Sequence, residues 1–104
     1  MPVFGDLEQA VMDVLWERPT ALSVRDVQAA LADERALAYT TVMTVMDRLA
    51  KKGQLLRELD GRAWRYSPAQ SWVQLVSDEI VALLDTGTAE QRRAVLEQVR
   101  QRVC

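Results

Sequence analysis

Thr40, Thr44, Asp47 and Lys51 recur at spacings of three and four residues, with Met43 and Arg48 on either flank. At about 100° per residue these positions share one face of a helix. The residue types suit nucleic-acid contact. Threonine hydroxyls bond base edges or phosphates, a methionine meets a thymine methyl, and Arg48 and Lys51 reach phosphate or guanine. An ordinary solvated helix face has the same composition, so the face alone does not decide. Asp47 suits DNA least; an i,i+4 ion pair with Lys51 is its simplest use.

Beyond the helix, Gln54–Leu59 and Arg62–Ser67 are predicted strands, joined by Asp60-Gly61. Asp-Gly between alternating segments is the strongest short hairpin signal. Pairing across it puts Leu55, Leu59, Trp64 and Tyr66 on one face, and Glu58 and Arg65 on the other. Trp64 and Tyr66 are expected to pack the hairpin core. Arg62 and Arg65 are candidate phosphate contacts, or equally charges that keep an edge strand soluble. A helix followed by a twisted hairpin is the arrangement of a winged helix, with the helix in a groove and the wing on the backbone.

The net charge of −2 argues against DNA at first. Local charge differs. From Arg48 to Tyr66 there are six cations (Arg48, Lys51, Lys52, Arg57, Arg62 and Arg65) and two anions (Glu58 and Asp60), a balance of +4. Such a patch binds phosphate with modest, salt-sensitive affinity. Histidine is absent, which removes the usual general base and the commonest metal ligand. No metal-ligand spacing, glycine-rich phosphate loop or nucleophile beside a base occurs, so no enzyme, metal or cofactor is expected. The lone Cys104 suits a reducing cytosol, and the N-terminus lacks export features. A cytoplasmic protein without a membrane span is expected.

The positioning elements follow from periodicity and caps. A first helix is predicted from about Leu7 to Glu17, capped by Asp6 with Gln9 three residues on and stopped by Pro19. Leu7, Ala10, Val11, Val14 and Leu15 form its stripe. A second helix starts after Ser23, with Asp26 at its third position and Val24, Val27 and Leu31 inward. Helix 3 covers about 39–52, buries Val42, Val45, Met46 and Leu49, and ends at Gly53. After Pro68 come helices at about Ser71–Leu84 and from Thr88, with Gln91 completing a capping box. The first is too apolar for a solvated tail. Two such helices suggest a surface for a second subunit, with Trp72, Val76, Ile80, Leu84, Leu96 and Val99 at the interface.

The fold class expected is mainly α with a small β-hairpin. Residues 1–68 form a winged helix-turn-helix DNA-binding domain, and 69–104 a helical dimerisation region. The function expected from these residues is DNA binding by a paired module, with helix 3 in a groove and the 54–67 wing on phosphate. The alternative is a winged helix used only for protein–protein assembly.

These residues resemble the penicillinase-repressor family of bacterial winged-helix regulators, the BlaI/MecI type. The likeness rests on Leu7-Glu8-Gln9-Ala10-Val11-Met12 with Leu15-Trp16, and on Ser23-Val24-Arg25-Asp26-Val27. It rests most on the run from Ala38 to Leu49 with Lys51-Lys52-Gly53, and on Arg62-Ala63-Trp64-Arg65-Tyr66-Ser67-Pro68. The resemblance implies a dimeric transcriptional repressor of a palindromic operator, a homodimer held by C-terminal helices. It implies Thr40, Thr41, Met43, Thr44 and Arg48 as base- or backbone-contacting positions. It also implies a membrane metalloprotease sensor that triggers cleavage of the repressor in its C-terminal region. Three departures stand out. The capping serine common in the family is Ala38 here, a cap weaker by about 1 kcal/mol. The Asn-Phe peptide cleaved in staphylococcal members has no match, and a last helix is expected to be missing. The C-terminal cysteine cluster of copper-responsive relatives is reduced to Cys104.

Overall fold

The structure, a computed structural model, describes residues 4–104. In chain order the elements are α1 (Asp6–Glu17), α2 (Val24–Leu31), α3 (Tyr39–Lys51), β1 (Leu55–Asp60), β2 (Ala63–Pro68), α4 (Trp72–Leu84) and α5 (Ala89–Val103). They fall into two compact units, one up to Ser71 and one from Trp72 to Cys104. Among the described residues no helix is long and apolar enough to cross a membrane.

In the first unit, α1, α2 and α3 bury one stripe each against the base of the hairpin. Val11, Val27, Val42, Met46 and Leu49 are fully buried. Met12 and Leu15 join them from α1, while Leu7, Ala10 and Val14 are only half-buried. The α1 stripe is therefore rotated toward Met12 relative to the expected one. Phe4 and Trp16 pack ring to ring at 6.2 Å. The indole N–H of Trp16 donates to the Gln70 carbonyl at 3.0 Å, so chain as far as Gln70 is tied to this unit.

Caps explain the helix boundaries. Ser23 and Asp26 form the reciprocal box of α2: the Asp26 N–H donates to Ser23 Oγ at 3.1 Å, and the Ser23 N–H to Asp26 Oδ2 at 3.0 Å. Helix α1 differs from expectation. Its cap is Gly5, whose N–H donates to Glu8 Oε1 at 3.2 Å, not Asp6 with Gln9. Asp6 instead pairs with Arg35 at 2.9 Å. Gly53, at φ 80°, closes α3. Its N–H reaches the Ala50 carbonyl at 3.1 Å and the Gln54 N–H reaches Leu49 at 2.9 Å, the two bonds of a Schellman motif.

The hairpin pairs Leu55 with Pro68, Arg57 with Tyr66, Leu59 with Trp64, and Asp60 with Ala63. The two turn residues are thus Gly61 and Arg62, with Gly61 at φ 66°, as in a type II′ turn. The expected Asp60-Gly61 loop is displaced by one residue. The register moves by two, so each side chain keeps its face. Only Leu55 and Tyr66 of the predicted apolar face are buried. Leu59 and Trp64 are exposed, because a two-stranded wing has no layer beneath its tip. At its base, Leu22 and Tyr66 exchange N–H···O bonds of 2.9 and 2.8 Å, which anchors β2 to the helical unit.

In the second unit, Thr88 caps α5 as expected, accepting from the Gln91 N–H at 3.1 Å. Arg92 Nε donates to the Leu84 and Gly87 carbonyls at 2.9 and 3.1 Å, closing the end of α4. Leu75 is buried.

Candidate nucleic-acid interface

Helix α3 presents its outer face because Val42, Val45, Met46 and Leu49 hold the inner one in the core. Thr40, Thr41, Met43, Thr44, Arg48 and Lys51 are all exposed. Thr40, Thr44 and Lys51 share one line, Met43 lies on one flank, and Thr41 with Arg48 on the other. The N-terminus of α3 starts at Ala38, which offers no side-chain cap. The turn before it is pinned by Gln28, whose Nε2 donates to the Leu37 carbonyl at 3.0 Å.

Hydrogen bonding alters what these groups can offer. The Thr44 hydroxyl donates to the Thr40 carbonyl at 2.8 Å. Its oxygen lone pairs remain available to an amine. Lys51 pairs with Asp47 at 3.0 Å, the i,i+4 contact expected. Asp47 also accepts from Arg57 Nη1 of β1 at 2.9 Å. Lys51 and then Arg57 pull the Asp47 carboxyl below its ordinary range. Arg48 and Arg62 form no ion pair among the described residues.

The two wing arginines proposed for phosphate are not equivalent. Arg62 stands in the turn, exposed. Arg65 is already committed, with Nε 2.7 Å from Asp60 Oδ2 and Nη1 3.8 Å from Asp26 Oδ2.

Two cation–ring contacts escaped the sequence reading. The Arg57 guanidinium lies 4.8 Å from the Trp64 ring centroid, so Trp64 serves as a cation platform rather than a core residue. Arg25 of α2 lies 5.2 Å from the Tyr39 ring at the start of α3. The signal for Arg57 was its parity. It shares the strand face of Leu55 and Tyr66, where a cation calls for a partner.

The residues assigned to the dimer interface lie in the second unit. Trp72, Ile80, Leu96 and Val99 are exposed, and Val76 and Leu84 half-buried. Ile80, Leu83, Leu84, Val95, Leu96 and Val99 line a cleft of about 830 Å³ between α4 and α5.

A three-helix core with an outward α3, followed by a two-stranded hairpin, defines a winged helix-turn-helix protein. The sequence model described as penicillinase repressor matches residues 4–103, and the chain belongs to that family. It is 48% identical over 100 residues to the transcriptional regulator BlaI of Mycobacterium tuberculosis, covering 95% of this chain and 72% of that protein. It is 31% identical over 68 residues to the penicillinase repressor of Bacillus licheniformis, covering 65% of this chain and 52% of that one. A solution structure of the monomeric form of Bacillus licheniformis BlaI with a half-operator superimposes with a TM-score of 0.57. That match has 30% identity over 68% of this chain and 85% of the other.

Proposed function

We propose that the chain is a homodimeric transcriptional repressor that acts in the cytoplasm on a palindromic double-stranded operator. The carrying observation is the exposed face of α3, with Thr40, Thr41, Met43, Thr44, Arg48 and Lys51, standing beside a wing with Arg62 at its turn. The helix enters the major groove and reads base edges, while the wing contacts phosphate. The half-operator complex of the Bacillus licheniformis relative supports this reading. The apolar faces of α4 and α5 supply the second-subunit contact through Trp72, Val76, Ile80, Leu84, Leu96 and Val99. Two modules about a two-fold axis match a palindrome.

The test is a gel shift against the chain's own promoter region and an unrelated duplex, over a series of salt concentrations. A preference for the promoter with a steep salt dependence supports the reading. Equal, weak binding to both duplexes favours a protein–protein assembly module instead.

The upstream partner proposed from the family is a membrane metalloprotease sensor. These 104 residues contain no asparagine, so its signal does not act through an Asn-Phe peptide within them. Co-expression with a neighbouring membrane protease, followed by mass measurement of the repressor, tests this. A constant mass while the promoter stays repressed rejects the sensor.

A further inference from the structure

The side chains of Lys51, Asp47, Arg57 and Trp64 form one continuous line from the recognition helix to the outer half of the wing. Lys51 Nζ lies 3.0 Å from Asp47 Oδ2, and Arg57 Nη1 lies 2.9 Å from Asp47 Oδ1. Arg57 rests over the Trp64 ring at 4.8 Å. The wing's other attachments differ in kind. Leu22, Leu55 and Tyr66 hold its base. On the opposite face Arg65 reaches Asp26 only at 3.8 Å. Nearer its tip, Leu59 and Trp64 are 60% and 42% exposed. A two-stranded ribbon without a supporting layer is marginal by itself and twists readily.

We infer that Arg57 is a positioning residue for DNA recognition: clasped to Asp47 and stacked on Trp64, it fixes the angle between the wing and α3. This rests on the DNA-binding reading above. Its geometry favours a fixed strut. The guanidinium is planar, so one nitrogen meets the Asp47 carboxylate while its face lies on the Trp64 ring. A lysine could keep the charge but not both contacts at once. Asp47 therefore has a use on an otherwise cationic face that base reading does not explain. It receives one cation from its own helix and one from the wing. With the clasp closed, Arg62 and the α3 hydroxyls are held at a constant separation, and the duplex does not have to order the wing on binding.

Arg57→Gln, Asp47→Asn and the double variant test the inference in the full chain. The probe is a duplex enriched by the wild-type chain from a random-sequence pool. Each single variant should bind it about threefold to tenfold more weakly, and the double variant no more weakly than either single, since both break one contact. Trp64→Ala should weaken binding similarly, and Trp64→Phe should restore it by keeping a ring beneath Arg57. Residual dipolar couplings of wing amides in the DNA-free protein should change in Arg57→Gln and Asp47→Asn, but not in Arg62→Ala. If Asp47→Asn binds as tightly as wild type or tighter, or if the two effects multiply, Arg57 touches phosphate directly and the clasp is wrong. Unchanged couplings would also overturn it. If the wild-type chain enriches no duplex, the DNA-binding reading fails, while the couplings still decide the clasp.

Discussion

In the DNA-free chain the Thr44 hydroxyl donates to the Thr40 carbonyl. While that bond is kept, the oxygen can accept from an adenine or cytosine amine. Thr44→Ala should weaken operator binding by about 1–3 kcal/mol and leave binding to unrelated duplex nearly unchanged. Fluorescence anisotropy on both duplexes checks this, with circular dichroism to confirm the fold. Unaltered operator affinity in a folded variant removes Thr44 from the reading set. The wing arginines should separate. Arg62→Ala should lower the log–log salt slope by about 0.9, the loss of one phosphate contact. Arg65→Ala should lower it less, because Asp60 and Asp26 already occupy that guanidinium. Equal losses would show that DNA displaces those carboxylates. The Asp47–Lys51 pair was legible in the sequence because i,i+4 neighbours meet on any helix. The Asp47–Arg57 pair was not, since it depends on the angle at which the wing leaves α3.

Among the elements, α3 has an identifiable defect. Ala38 leaves its first turn without a side-chain cap, and serine there should stabilise the protein by about 1 kcal/mol. In a unit of this size that raises the melting temperature by about 4–8 °C, measurable by thermal circular dichroism. No rise would mean that the serine side chain fails to reach the first-turn N–H groups. Acid should act in the opposite direction. Arg35 lowers the Asp6 pKa, Lys52 that of Glu8, and the Ser23 cap that of Asp26, from ordinary values of 3.8, 4.5 and 3.8. Each carboxylate titrates lower in the folded state. The stability it contributes is therefore complete above its unfolded pKa and is lost as pH falls through the folded one. The melting temperature should hold from neutrality to about pH 5 and fall below about pH 4. A flat profile down to pH 3 would show that these pairs contribute nothing. Capping chemistry made most boundaries legible: Ser23 with Asp26, Thr88 with Gln91, and Gly53 are local signals. At α1 the cap is Gly5, and Asp6 pairs with Arg35 across the unit, a contact that local signals do not carry. Trp64 was misread because alternation on a strand predicts a face, while burial needs a second layer that a hairpin tip lacks.

For the whole molecule, the testable division lies between Ser71 and Trp72. A chain ending at Ser71 keeps the Trp16–Gln70 hydrogen bond. It should fold, remain monomeric and bind a half-site, with full-operator affinity reduced by orders of magnitude. Sedimentation equilibrium and anisotropy check both statements; a full-length chain that is monomeric at tens of micromolar would remove the dimer from the proposal. The exposed apolar faces of α4 and α5 carry a further consequence. In the proposed dimer they would make subunit pairing, and with it gene control, a matter of mass action. When most chains are unpaired, the dimer rises as the square of the total, so a twofold change in repressor level gives about a fourfold change in the binding species. Small changes in synthesis or degradation would then shift promoter occupancy steeply. A cell could relieve repression by diluting the protein, with no inducer bound and no peptide bond cut.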